Sequence, residues 1–194
     1  MDSIQIIELI AALVGVLYVW LEIKANRWLW VVGIILPLFY IYISWKSQVY
    51  GNVFVNIMYI LLSIYGLQVW RDKKKEPKED KIRHIERRLG YFAICQTLIF
   101  TVALGPVLSR FTDSPFPYID ALATSLCFVG MYLLAQKYIE HWYCWFFSNI
   151  IYAALYFYQG FITTGIIFVL FTVMSVVGYL NWRKLMKIQM AHAG

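Results

Sequence analysis

Residues 140–149 read EHWYCWFFSN, and they pose a question about a chain this apolar. On a helix, successive residues turn by about 100°, so Trp142, Trp145 and Asn149 share one stripe within an arc of about 60°. Tyr152 and Tyr156 carry the stripe on over roughly 20 Å at about 1.5 Å per residue. Hydrocarbon offers an amide no partner, so Asn149 on a membrane helix is expected to face protein, water or a ligand.

The surrounding chain makes the membrane reading necessary. Of its 194 residues, 61% are hydrophobic and 14% charged, with a mean hydropathy of +0.64, where soluble domains carry about 25% charge. Seven apolar segments approach the ~17–25 residues a bilayer requires: 4–23, 28–45, 53–70, 89–108, 118–135, 142–158 and 162–182. Alternating strands of about ten residues are absent, so all seven are expected to be helices. The first run, 4–21, lacks a basic start and a small-residue cleavage site, so no removable signal peptide is expected. Fifteen Tyr, thirteen Phe and eight Trp exceed what interfacial belts need, which points to packing or to an aromatic-lined cavity.

Basic residues orient the spans. Lys46 and Arg110 stand on one side; the other fifteen of the seventeen Lys and Arg fall on the opposite side, in alternate loops and the C-terminal tail. That asymmetry places the N-terminus outside and the C-terminus in the cytoplasm. The densest run, RDKKKEPKEDKIRHIERR at 71–88, is interleaved with acids and reads as a solvated cytoplasmic loop, not a nucleic-acid site.

The chain also repeats. A shift of 112 positions, from Trp70 to Trp182, lays YGLQVWR (65–71) on VGYLNWR (177–183). The same shift pairs Trp30 with Trp142, Tyr40 with Tyr152, Ser63 with Ser175, Gly66 with Gly178 and Glu8 with Asp120. Residues 1–70 and 118–183 are therefore expected to be two three-helix repeats, with 71–117 a basic loop plus connecting helix and 184–194 a cytoplasmic tail. Four spans separate equivalent helices, so the repeats lie parallel, an arrangement that puts a transporter's site between the halves.

Opposite the stripe, the shift sets Trp30, Gly33, Pro37, Tyr40 and Ser44. Pro37 cannot donate to the Gly33 carbonyl, so a kink and a freed acceptor are expected there. Large rings and an amide on one wall, with small residues on the other, suit a planar polar heteroaromatic solute. Trp142 could equally anchor the interface, and Asn149 could tie helices together. On the third span, Asn56 and Tyr59 share a face and join the candidate site; Ser63 with Gly66 and Ser175 with Gly178 suggest close helix packing.

Other chemistry finds little support. Cys95, Cys127 and Cys144 lie in apolar segments without metal-ligand spacing and read as buried small hydrophobes. His84, His141 and His192 fall in loops or the tail, so no metal and no cofactor are expected. There is no HExxH, GxSxG or carboxylate cluster, so an enzyme is not expected. Glu8, Glu22, Asp120 and Glu140 all fall near span ends, leaving no carboxylate at membrane depth for ion coupling.

The spacing Trp142-x-x-Trp145-x-x-x-Asn149 resembles the signature of the PnuC family of vitamin and nucleoside transporters. FPYID at 116–120, KYIEHW at 137–142, QG at 159–160 and the end of the third span extend the resemblance over nearly the whole chain. It implies an all-α membrane protein in a 3+1+3 arrangement, like an enlarged SWEET fold, in a bacterial inner membrane. It also implies uptake of nicotinamide riboside, thiamine or riboflavin by facilitated diffusion, with a cytoplasmic kinase trapping the vitamin. The opening LEIKANRW at 21–28 is similar to the thiamine-associated subgroup, PnuT, and the third span carries Asn56 and Ser63 where nicotinamide riboside members carry Gln and Asn. An ion-coupled carrier or a binding subunit of an energised complex is the alternative, and a homo-oligomer is compatible with either.

Overall fold

The computed structural model describes residues 3–46, 50–71, 81–112 and 114–191, which form seven helices: α1 (Ser3–Ile23), α2 (Trp28–Lys46), α3 (Tyr50–Arg71), α4 (Arg87–Phe111), α5 (Pro117–Ala135), α6 (His141–Tyr158) and α7 (Ile162–Ala191). The 72–80 part of the basic run, His192 and the side chains of Glu8, Ser44 and Lys46 lie outside the described residues. Over Val53–Arg71, Arg87–Phe111, Pro117–Ala135 and Ile162–Ala191 the helices are long and apolar enough to cross a membrane by themselves. Their outward faces expose Phe92, Val102 and Val173, as lipid-facing surfaces require.

Two turns carry the 112-residue repeat in their backbones. After α1, Ala25 adopts a left-handed φ of 48°; after α5, Lys137 does the same at 57°. At the first turn Ala25 N–H donates to the Glu22 carbonyl and Asn26 N–H to that of Leu21; at the second, Lys137 donates to Leu134 and Tyr138 to Leu133. These paired bonds satisfy the last carbonyls of each helix and reverse the chain in the same way twice. Asn26 then caps α2 by accepting from Trp28 N–H at 3.0 Å.

The helices close into a ring, each touching the next in the order α1, α2, α3, α5, α6, α7 and back to α1. Helix α4 stands outside it against α5, with a smaller contact to α3. Matching tryptophans join the halves. Trp70 at the end of α3 donates to the carbonyl of Ala135 at the end of α5 (3.0 Å), and Trp182 of α7 donates to that of Glu22 in α1 (2.9 Å). Trp30 meets Trp70 edge-on at 82°, and Trp142 meets Trp182 at 83°.

Two expectations change. Helix α7 continues through the basic residues Arg183, Lys184 and Lys187 to Ala191 instead of giving way to a tail at 184. Segment 81–86 is also more than a solvated loop. Arg83 exchanges backbone hydrogen bonds with Lys137 and Ile139, Ile82 N–H donates to Gln189, and Glu140 accepts from Ile85 N–H while meeting His84 Nδ1 at 2.7 Å. This strap ties the α5–α6 turn to the end of α7.

Candidate functional site

A cavity of about 300 Å³ lies inside the ring, and all six ring helices contribute to its wall. That is near the lower bound for a small-molecule site, roughly 300–1,000 Å³. Trp142, Trp145 and Asn149 line it from α6, and Gly33 and Pro37 from α2. Tyr59 and Ser63 come from α3, Met131 from α5, and Phe168, Phe171 and Ser175 from α7. Helix α1 supplies Gly15, Tyr18 and Glu22.

The stripe on α6 therefore turns inward for two of its turns and then leaves the cavity. Tyr152 shares a hydrogen bond with Thr124 (3.0 Å), and Tyr156 stacks on Phe168 at 5.3 Å, so both tyrosines stand behind the ring that closes the wall. Asn149 donates to Ser175 Oγ at a long 3.4 Å, while Ser175 donates to the Phe171 carbonyl. Trp142 is 1% exposed, so the interfacial-anchor alternative falls. Its ring fills the notch left by Gly178 on α7.

The α2 side is less open than its small residues suggest. The Gly33 carbonyl that Pro37 leaves free is taken by the Ser63 hydroxyl at 3.1 Å. Ser63 thus satisfies an acceptor as well as allowing close packing. Trp30 is fully buried in the Gly66 notch and does not reach the cavity; nor does buried Asn56. Tyr40 is 37% exposed and also lies off the cavity wall.

The residue that sequence reasoning passed over is Glu22. It sits one residue from the end of α1, as a span-end carboxylate should, yet it is 1% exposed and lines the cavity. Trp145 Nε1–H donates to its Oε1 at 2.6 Å, a short bond that fixes the plane of the indole. His141 is not a loop residue either: it opens α6 and is fully buried. Its Nδ1–H donates to the Tyr138 carbonyl at 2.7 Å, and its Nε2 lies 3.0 Å from the same Glu22 oxygen. The latter contact is at ion-pair distance without the alignment of a hydrogen bond. LEIKANRW and KYIEHW fall at the equivalent α1–α2 and α5–α6 turns of the two repeats, but that equivalence does not by itself bring Glu22 to His141.

What the wall can do follows from its parts. Trp142 and Trp145 give apolar faces for a ring, Asn149 an amide, and Glu22 an acceptor. No group of three or more His, Cys, Asp or Glu able to hold a metal occurs among the described residues. Two like halves side by side around a cavity lined by aromatic and polar side chains define a multi-pass membrane carrier.

Comparisons with known proteins agree. Residues 5–184 match the family described as nicotinamide mononucleotide transporter. The nicotinamide riboside transporter PnuC of Neisseria mucosa is 25% identical over 92% of this chain and 72% of that protein. The PnuC of Escherichia coli K12 is 24% identical over 72% of the chain and 69% of its own length. A riboflavin/roseoflavin transporter, RibM of Streptomyces davaonensis, is 19% identical over 90% and 83%. A crystal structure of the vitamin B3 transporter PnuC superposes with a TM-score of 0.69 at 25% identity, over 92% of this chain and 81% of that one. The chain belongs to the PnuC family of transporters, and as such is not an enzyme.

Proposed function

We propose that this protein carries a vitamin-like nucleoside or a close chemical relative, nicotinamide riboside or thiamine, across the bacterial inner membrane. The observation that supports this most is the wall of Trp142, Trp145 and Asn149 facing a cavity between the halves. Rings bind by stacking there, and the amide orients the polar end of the solute. The site comprises Trp142, Trp145, Asn149, Tyr59 and Glu22, with Gly33 and Pro37 giving room opposite. Tyr152 and Tyr156 support it from behind Phe168. Trp30, Asn56 and Tyr40 belong to the frame.

Transport on this reading is facilitated diffusion, and a cytoplasmic vitamin kinase keeps the gradient inward by phosphorylating the solute. The charge asymmetry puts the N-terminus outside and the C-terminus in the cytoplasm. Titrating purified protein with nicotinamide riboside, thiamine and riboflavin tests the substrate: one of the three is expected to raise the melting temperature strongly. Proteoliposomes without ion gradients are expected to equilibrate that solute. Accumulation driven by an inward sodium or proton gradient would overturn the passive mechanism.

A further inference from the structure

Successive spans alternate in sense, so α1, α3, α5 and α7 all end at one face of the ring, the face that carries most of the basic residues. Both seams between the halves are hydrogen-bonded there. At the α3–α5 seam Trp70 Nε1–H reaches the Ala135 carbonyl at 3.0 Å, and Gln136 Nε2–H donates to the Tyr65 hydroxyl. At the α1–α7 seam Trp182 Nε1–H reaches the Glu22 carbonyl at 2.9 Å, and Asn181 Nδ2–H reaches that of Ile23 at 2.8 Å. The three carbonyls belong to the last turn of a helix, where the helix leaves its own acceptors open.

Beside these bonds lies a plug. Leu21, Leu29, Leu134, Ile139 and Trp182, drawn from both halves, form one buried cluster with Trp142, whose ring is part of the cavity wall. Further along the α1–α7 seam the contact is of another kind. Gly15 and Phe171 meet on the cavity wall, roughly 10 Å before Glu22 along α1 and roughly 16 Å before Trp182 along α7. A Cβ on Gly15 would stand 2.9 Å from Phe171 Cζ, so the ring rests against bare backbone. Neither side chain brings a donor or an acceptor to that contact. Parting it only exposes apolar surface, whereas parting the other end strips N–H groups from their carbonyls, and a buried polar group left unpaired is penalised.

We infer that Trp70 and Trp182, seconded by Asn181, are the latch of a cytoplasmic gate. The solute is released inward only when their N–H groups leave the α5 and α1 carbonyls, and the empty carrier rests with this gate shut. All three are positioning residues, since none of them lines the cavity. A latch biases how long the carrier faces each side and supplies no energy, so transport stays passive. The inference deepens the carrier reading by naming its inner gate, and it rests on that reading and on the orientation.

The test follows a cysteine on the cavity wall and needs no solute. With Cys95, Cys127 and Cys144 replaced, a Val19→Cys protein is treated with a small impermeant methanethiosulfonate in intact cells and in inverted membrane vesicles, which present opposite faces. A shut inner gate predicts faster reaction from outside than from the cytoplasmic face. Trp70→Phe and Trp182→Phe keep a ring and lose the N–H. Each should speed reaction from the cytoplasmic face about 2- to 10-fold, the worth of one net hydrogen bond, without speeding it from outside. Asn181→Leu should act in the same direction. Equal rates from both faces before the latch is touched overturn the inference, and so do unchanged rates in both tryptophan variants. A variant that speeds both faces alike has loosened the fold, and that result also overturns the latch. If Trp182→Phe does not fold, Trp70→Phe and Asn181→Leu decide, one at each seam. Failure of nicotinamide riboside, thiamine and riboflavin to raise the melting temperature removes the substrate reading alone, because no solute enters the labelling. Reaction of Glu76→Cys in intact cells would reverse the topology and overturn a cytoplasmic latch.

Discussion

The ring of Trp142 occupies the space that a side chain on Gly178 would need, and Trp30 fills the same notch at Gly66. Only Trp142 reaches the cavity. Gly178→Ala and Gly66→Ala should therefore each cost roughly 1–3 kcal/mol of stability by overpacking. Their effects on binding should differ: Gly178→Ala displaces a cavity wall and weakens the ligand, whereas Gly66→Ala leaves affinity unchanged. Melting temperatures and dissociation constants on the same preparations check both halves of the prediction.

Trp145→Ala removes a stacking face, and Asn149→Ala removes the orienting amide. An unpaired buried polar group costs about 1–3 kcal/mol, so the dissociation constant should rise roughly 5- to 150-fold for each. A purely structural role predicts lowered melting temperature with normal affinity. Wild-type affinity in a folded Asn149→Ala protein would refute its place in the site.

The strap gives a graded prediction. Glu140 meets both His84 Nδ1 and Ile85 N–H, so Glu140→Ala releases two groups and His84→Ala only one. His84 is also the more solvent-exposed partner. Glu140→Ala should lower stability by about 1–3 kcal/mol and His84→Ala by less. Thermal unfolding of the two variants in detergent orders them, and near-zero effects of both would show that the strap is held mainly by Arg83 and its backbone bonds.

The orientation is open to chemical labelling. Glu76 lies in the basic run outside the described residues, on the side that carries most of the positive charge. With Cys95, Cys127 and Cys144 replaced, a Glu76→Cys protein should react with an impermeant maleimide only after cells are opened. Reaction in intact cells would reverse the topology.

Much of this arrangement could be read from the chain because it depends on local periodicity. Trp142, Trp145 and Asn149 share a helical face whatever surrounds them, and the spacing from Trp70 to Trp182 is visible without a fold. The end of the stripe was not readable. Tyr152 and Tyr156 lie on the same face, but Phe168 comes across from α7 and shuts them out. Glu22 failed for a related reason: its place near the end of α1 suggested water, and only the closure of α1 onto α6 and α7 buries it. Neither Ala25 nor Lys137 is a residue type that favours a left-handed backbone, so the matched turns were silent as well.

Helix α4 touches no part of the cavity, yet it decides whether the two sides of the cavity must be alike. Three crossings leave a chain on the far side of the membrane; a fourth returns it, so the second half can stand beside the first in the same sense. An assembly of two separate, identical halves would reach the same ring, but every acid would then appear twice and face its own copy. Joined through α4, the halves are free to diverge, and the buried Leu29 and Leu134, which the 112-residue shift sets on His141 and Glu22, record one side of that divergence. Glu22 is the one carboxylate among the described residues on the cavity wall, and it leaves the two sides of a nearly two-fold chamber chemically unlike.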